Sequence, residues 1–172
     1  MIRTILTYPD PVLKQKSASV TIINESVHQL VEDMVETMYD APGVGLAAPQ
    51  IGVLQRVIVI DVSGRDEPDD LIVAINPVIV QASGETYEEE GCLSVPQYAA
   101  NVKRHACVSV KALDLEGHEK IWDAEGLLAI AFQHEIDHLD GILYVDRLSP
   151  LKRDLFQRKF KKMLESEERG AK

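Results

Sequence analysis

The run His134-Glu135-Ile136-Asp137-His138 sets two imidazoles four residues apart, with a carboxylate beside the first. Residues four apart on a helix share a face, so both rings can converge on one metal ion. Glu135 would then stand beside that ion as a proton shuttle. The neighbours Leu127, Leu128, Ile130, Ala131 and Phe132 are apolar. The helix is therefore expected to be buried, and a dry site strengthens the electrostatics that a catalytic metal uses. Such a site needs a third protein ligand, with water as the fourth. A third histidine at the spacing of one familiar metallopeptidase pattern would fall at position 144, which is Tyr144. A downstream glutamate, the other familiar solution, would be Glu165, on a basic surface-type helix. Cys92, in Glu90-Gly91-Cys92-Leu93-Ser94-Val95-Pro96, is the better candidate. A Cys/His/His set suits zinc or ferrous iron, and the ion would hold the thiol as thiolate. Cys107, in a strand-like run, reads instead as a small buried hydrophobe.

These residues must be positioned by the elements around them. Residues 24–41 read as a helix capped by Asn24, with Val27, Leu30, Val31, Met34, Val35 and Met38 on one stripe. Pro42-Gly43 ends it. Gly43 to Gly52 holds too many glycines and prolines for a regular helix or a central strand. Arg56 to Val62 is a β-branched strand, Ser63 to Asp70 a polar loop, and Leu71 to Val80 a second strand interrupted at Asn76-Pro77. Residues 84–92 form an acidic segment. Ala106 to Leu113 alternates like a strand, and His118 to Asp123 should pair back on it as a hairpin. Residues 125–139 form the second helix, stopped by Gly141. Ser149-Pro150 opens the last helix, with serine at its cap. Helices at the start, late middle and end, with strands grouped between, indicate an α+β fold. Mixed or antiparallel strands would pack around a central metal-binding helix.

At 172 residues the chain is expected to be one domain, 1–172. With 45% hydrophobic and 27% charged residues it reads as globular. No apolar run approaches the roughly 18–20 residues of a membrane span. The start, Met1-Ile2-Arg3-Thr4, lacks the apolar core of a secretory signal, so a cytoplasmic location and no disulfide between the two cysteines are expected. The net charge of −10 is uneven: residues 1–148 carry 10 Lys+Arg against 24 Asp+Glu, and residues 149–172 carry 8 against 4. An acidic body argues against nucleic acid as the main ligand. The basic tail, 149–172, reads as an amphipathic helix with a solvated cationic face.

Three segments together resemble bacterial peptide deformylase: Gly43-Val44-Gly45-Leu46-Ala47-Ala48-Pro49-Gln50, Glu90-Gly91-Cys92-Leu93-Ser94 and Gln133-His134-Glu135-Ile136-Asp137-His138. Their order and spacing match, and the likeness runs from the first helix to Leu151. It implies a hydrolase that removes the formyl group from the N-terminal methionine of new polypeptides and releases formate. Cys92, His134 and His138 would hold one divalent ion. Water on that ion would attack the formyl carbon, with Glu135 as general base and then general acid. Gln50 and the backbone N–H of Leu93 would stabilise the oxyanion. Val44 and Gly45 would hold the peptide backbone, and Leu127, Ile130 and Ala131 would help form the methionine pocket. The resemblance favours Fe2+ as the working metal, whereas the general affinity order favours Zn2+. Purified protein could carry Zn2+, Ni2+ or Co2+. It also implies formyl-methionyl nascent chains as partners and a ribosome contact through the basic helix; a monomer is expected at this size. The sequence departs from the usual pattern at Gln97-Tyr98-Ala99-Ala100-Asn101, where many relatives place an arginine. It departs again at Glu88, where an apolar residue often borders the pocket.

Two rival readings remain at this point. A related metal-dependent peptidase or amidase would cleave unformylated peptides; Tyr144 and Cys92 count against it. A binding module with a structural metal would need a fourth protein ligand. His28, His105 and His118 sit in unrelated contexts.

Overall fold

A computed structural model describes residues 1–64 and 70–171. The loop expected at 63–70 lies mostly outside the described residues. Two antiparallel sheets and three helices make up the α+β fold. The larger sheet has the order β1-β2-β3-β6-β7, from Gly45–Ala47, Val57–Ile60, Ile72–Ser83, Cys107–Leu113 and Glu119–Glu125. A separate hairpin pairs β4, Thr86–Cys92, with β5, Val95–Arg104. No helix is long and apolar enough to cross a membrane, among the described residues.

Helix α1, Glu25–Asp40, starts where expected: the Asn24 side chain accepts from the Val27 N–H at 3.3 Å. Its apolar stripe buries Val27, Leu30, Val31, Met34 and Met38 against one face of the large sheet. Helix α2, Gly126–Leu139, lies on the opposite face. Every residue from Ala131 to Leu139 is buried, including the polar Gln133, His134, Glu135, Asp137 and His138. A helix buried in this way must be covered on all sides. The sheet covers one side, where Trp122 meets Phe132, and the β4–β5 hairpin covers another. Gly141, at φ 73°, ends α2, and a Cβ there would collide with the Lys14 carbonyl.

The structure corrects two expectations, at Asn76-Pro77 and at Cys107, and assigns segments that the sequence left open. Asn76-Pro77 does not break the second strand; β3 runs through it with a register shift between Ile75 and Val78. The acidic segment 84–92 is strand β4, and the unassigned stretch after it is β5. Three consecutive glutamates disfavour a strand, yet β5 pairs with it and buries Val95 and Val102. Cys107 is exposed at the start of β6, because the inward positions of that strand begin at Val108. The last helix, α3, Pro150–Gly170, is capped by Ser149 as expected but buries only Phe156. Leu151 and Leu155 remain 69% and 54% exposed.

Asn76 explains how β3 passes its irregularity. It sits at φ 53°, a conformation asparagine tolerates better than most residues. Its side-chain amide donates to the Val20 carbonyl and accepts from the Val20 N–H, both at 2.8 Å. The N-terminal segment is thereby fastened to the sheet. Asn76→Ala removes both bonds and leaves the strained backbone, so a loss of about 2–4 kcal/mol is expected in urea unfolding. Asn76→Gly, which relieves the strain alone, should lose less.

Candidate metal centre

Cys92 stands at the tip of the β4–β5 hairpin, where Cys92 pairs with Val95 across a tight turn. His134 and His138 stand one helical turn apart on α2. Their ligand atoms and the Cys92 sulfur all lie within 4.8 Å of one another. Among the described residues this is the one group of three or more such side chains placed to share an ion. Cys92 Sγ is 3.3 Å from His138 Nε2. The His134 Nδ1 lies 2.8 Å from Glu90 Oε1, which leaves its Nε2 for an ion. One thiol and two imidazoles, opening onto a cleft, are the donors of a three-ligand divalent site with a free fourth position. The set therefore fits the ion that the sequence implies. Tyr144, at the rejected third-histidine position, donates its hydroxyl to the Tyr98 carbonyl at 2.9 Å and stacks on His134 at 5.9 Å. Glu165 pairs with Arg169 on the exposed side of α3.

Glu135 lies beside the cluster at 5% exposure, and its Oε2 has no hydrogen-bond partner among the described residues. Burial pushes its carboxyl up to about 7, with Glu90 and Asp137 adding to the rise and His134 and Arg104 opposing it. Residue 45 is glycine where β1 passes Glu135: a Cβ there would stand 2.5 Å from Glu135 Oε1 and force that side chain to shift. Gln50 is oriented by its own backbone. Its Oε1 accepts from the Ala47 N–H at 2.9 Å, which turns Nε2 toward Ser94 Oγ at 3.1 Å and Cys92 Sγ at 3.7 Å. The Ser94 N–H points at the same sulfur, 3.4 Å away. Two donors, the Gln50 amide and the Ser94 N–H, are thus aimed at Sγ.

A cleft of about 870 Å³ opens over the cluster. It brings together all the remaining residues singled out in the sequence: Val44, Gly45, Gln50, Leu93, Leu127, Ile130 and Ala131 line it. Glu88 lines it as well.

The sequence did not disclose the ion-pair network behind the ligands. Arg104, on β5, donates to both oxygens of Glu90, at 2.8 and 2.9 Å, and to Asp137 on α2 at 2.6 Å. Arg147 holds Asp137 from its other side. Despite the cost of burial, Arg104 and His134 hold the Glu90 carboxyl down at about 2. Glu90 therefore presents a full charge to His134 Nδ1 and fixes the ring with its other nitrogen turned to the cluster.

A buried carboxylate beside one cysteine and two histidines placed to share an ion has the make-up of a metal-dependent hydrolase site. Comparison with known proteins narrows the class. Residues 2–154 match the family described as polypeptide deformylase, and the chain belongs to that family. It is 56% identical to a peptide deformylase of Syntrophobacter fumaroxidans over 163 residues, covering 95% of this chain and 96% of that protein. It is 50% identical to that of Rhizobium meliloti, covering 99% and 98%. The crystal structure of a peptide deformylase from Legionella pneumophila superposes with a TM-score of 0.90 at 50% identity, covering 98% of this chain and 99% of that one. The enzyme from Ehrlichia chaffeensis in complex with actinonin superposes at 0.86 and 41% identity, covering 94% and 97%.

Competition against a chromophoric chelator should find one divalent ion per chain. Glu90→Gln should weaken it by about 10–100-fold, the usual effect of losing a partner behind a ligand. Unchanged affinity would mean that Glu90 does not orient His134.

Proposed function

We propose that this chain removes the formyl group from the N-terminal methionine of new polypeptides, with one divalent metal held by Cys92, His134 and His138. The observation that carries this reading is the meeting of those three ligand atoms with the unpartnered Glu135 carboxyl at the floor of a cleft, in a chain of the deformylase family. When bound, the ion supplies a Lewis acid and makes water acidic enough to be a nucleophile at neutral pH.

The protein's own groups do the rest. Glu135 takes a proton from the attacking water and passes it to the leaving amine, a task suited to a carboxyl poised near neutrality. The Gln50 amide, already turned into the site, and the Leu93 N–H face the oxygen on which charge develops, and one such donor is typically worth about 3–4 kcal/mol of barrier. Val44 and Gly45 offer the substrate an extended backbone at the edge of the large sheet, where β1 has a partner on one side only. The Val44 carbonyl is held from that side by the Asp61 N–H at 2.9 Å. Leu127, Ile130 and Ala131 form the apolar wall for the methionine side chain. Fe2+ is the metal we expect in the working enzyme. The cationic outer face of α3 is suited to anionic ribosomal RNA, which would bring the cleft near emerging chains.

Metal-loaded protein should release formate from formyl-Met-Ala-Ser and leave the unformylated peptide intact. Glu135→Gln should keep the metal and lose about 100- to 10,000-fold in kcat. Cleavage of the unformylated peptide with no formate would favour a peptidase instead.

A further inference from the structure

Asp61 is a buried carboxylate that the proposed chemistry does not use. A buried charge needs partners, and among the described residues Asp61 has no cationic one. Neutral donors hold it instead. The Tyr39 hydroxyl donates to its Oδ2 at 2.6 Å, the Ser63 N–H donates to Oδ1 at 2.9 Å, and the Ser63 hydroxyl donates to Oδ1 as well. Burial pushes the Asp61 carboxyl up, but the bonds from Ser63 and Tyr39 outweigh it and hold the group below its usual range. Burial and the bond to Asp61 push Tyr39 up to about 12, so its hydroxyl keeps its proton and stays a donor. These bonds join two segments that flank the cleft. Tyr39 is the next-to-last residue of α1, and Asp61 follows β2 directly. Between Tyr39 and β1 the chain bends through Pro42, Gly43 and Val44, all of which line the cleft. Val44 continues the pairing in which Gly45 stands opposite Ile60: its carbonyl accepts from the Asp61 N–H at 2.9 Å. Asp61 thus grips both ends of the bend, Tyr39 with its side chain and Val44 with its backbone. The bend has little of its own to hold it, since the Gly43 N–H reaches the Met38 carbonyl only at 3.4 Å. It also meets the opposite wall: a Cβ at Gly43 would stand 2.7 Å from Leu93 Cδ1. The lie of the bend therefore sets the spacing between Val44 and the Cys92-Leu93 turn.

We propose that Tyr39 and Asp61 form a clasp that holds this bend in its peptide-binding position, which makes them positioning residues for the formylated peptide. The inference rests on the deformylase reading. Opening the clasp lets the bend populate other positions. A peptide that binds only the held position then meets a smaller competent fraction, and its apparent affinity falls by that fraction. The bound peptide restores the bend, and the ligand cluster is not touched. The effect therefore falls on KM and not on kcat.

The test assays metal-loaded native enzyme, Tyr39→Phe, Asp61→Asn and the double variant on formyl-Met-Ala-Ser. Tyr39→Phe keeps the ring and loses only the donor; Asp61→Asn keeps the side-chain size and the backbone N–H. In Tyr39→Phe, KM should rise about 3–10-fold, with kcat and metal content within about 2-fold of native. The double variant should be no worse than Asp61→Asn alone, because the two residues act as one. The Asp61 amide proton should exchange at least about 10-fold faster in Tyr39→Phe. That of Arg56, bonded to the Ala18 carbonyl at the other end of β2, should exchange as in the native protein. A native KM in Tyr39→Phe, a kcat that falls as KM rises, additive losses in the double variant, or faster exchange at both amides would each overturn the clasp. Formate release by none of the four proteins contradicts the deformylase reading instead, and the exchange rates then still decide the clasp.

Discussion

The structure around the site depends on one buried cation. The Arg104 side chain is 2% exposed and stands between two buried carboxylates, Glu90 of β4 and Asp137 of α2. A charge in that position is tolerable only if it is paired and fully hydrogen-bonded, and removing one partner of such a set is costly. Among the described residues the β4–β5 hairpin makes no strand pairing with the large sheet. The ion pairs tie it to α2, beside an apolar cluster of Val95, Val102, Leu143, Tyr144 and Phe156 and a hydrogen bond from the Tyr8 N–H to the Ser94 carbonyl at 2.8 Å. Seated so, the hairpin brings Cys92 opposite His134 and His138.

Once the hairpin is seated, the chemistry follows from what each element lends. Glu90 reaches across to His134, so one carboxylate both locks the hairpin and orients a metal ligand. Gly45 lets β1 come close enough to form the other wall of the cleft. Gln50, held by the Ala47 N–H, closes the rear. Two atoms of the cluster, Glu135 Oε2 and His138 Nδ1, are buried without partners among the described residues. An unsatisfied buried polar atom costs roughly 1–3 kcal/mol. In the proposed reaction the first of these is the oxygen that Glu135 needs free.

Much of this was legible in the sequence, for physical reasons. Helical periodicity exposed α1, the apolar run before His134 and the stop at Gly141 exposed α2, and the four-residue spacing of His134 and His138 exposed the candidate ligand pair. Asn24 and Ser149 marked the caps. Cys92 could be preferred over Tyr144 and Glu165 from residue chemistry alone. The resemblance supplied Gln50, Leu93 and the cleft walls, whose roles no local pattern discloses. What stayed hidden depends on register. Nothing in Thr86–Cys92 announces a strand, because three glutamates oppose one and only the pairing with β5 overrides them. Arg104 could not be matched to Glu90 and Asp137 before that pairing was known. Asn76-Pro77 looked like a break because the Val20 backbone that stabilises it is remote in sequence.

The most direct test of this account is a cobalt(II) titration of Arg104→Lys, read at the thiolate-to-cobalt charge-transfer band. Lysine keeps the charge but cannot hold both oxygens of Glu90 and reach Asp137 as well. The account predicts a folded protein with cobalt affinity reduced by about 10-fold or more and a weakened thiolate band. Native affinity with an undiminished band would show that Cys92 meets the two histidines without Arg104, and would contradict it.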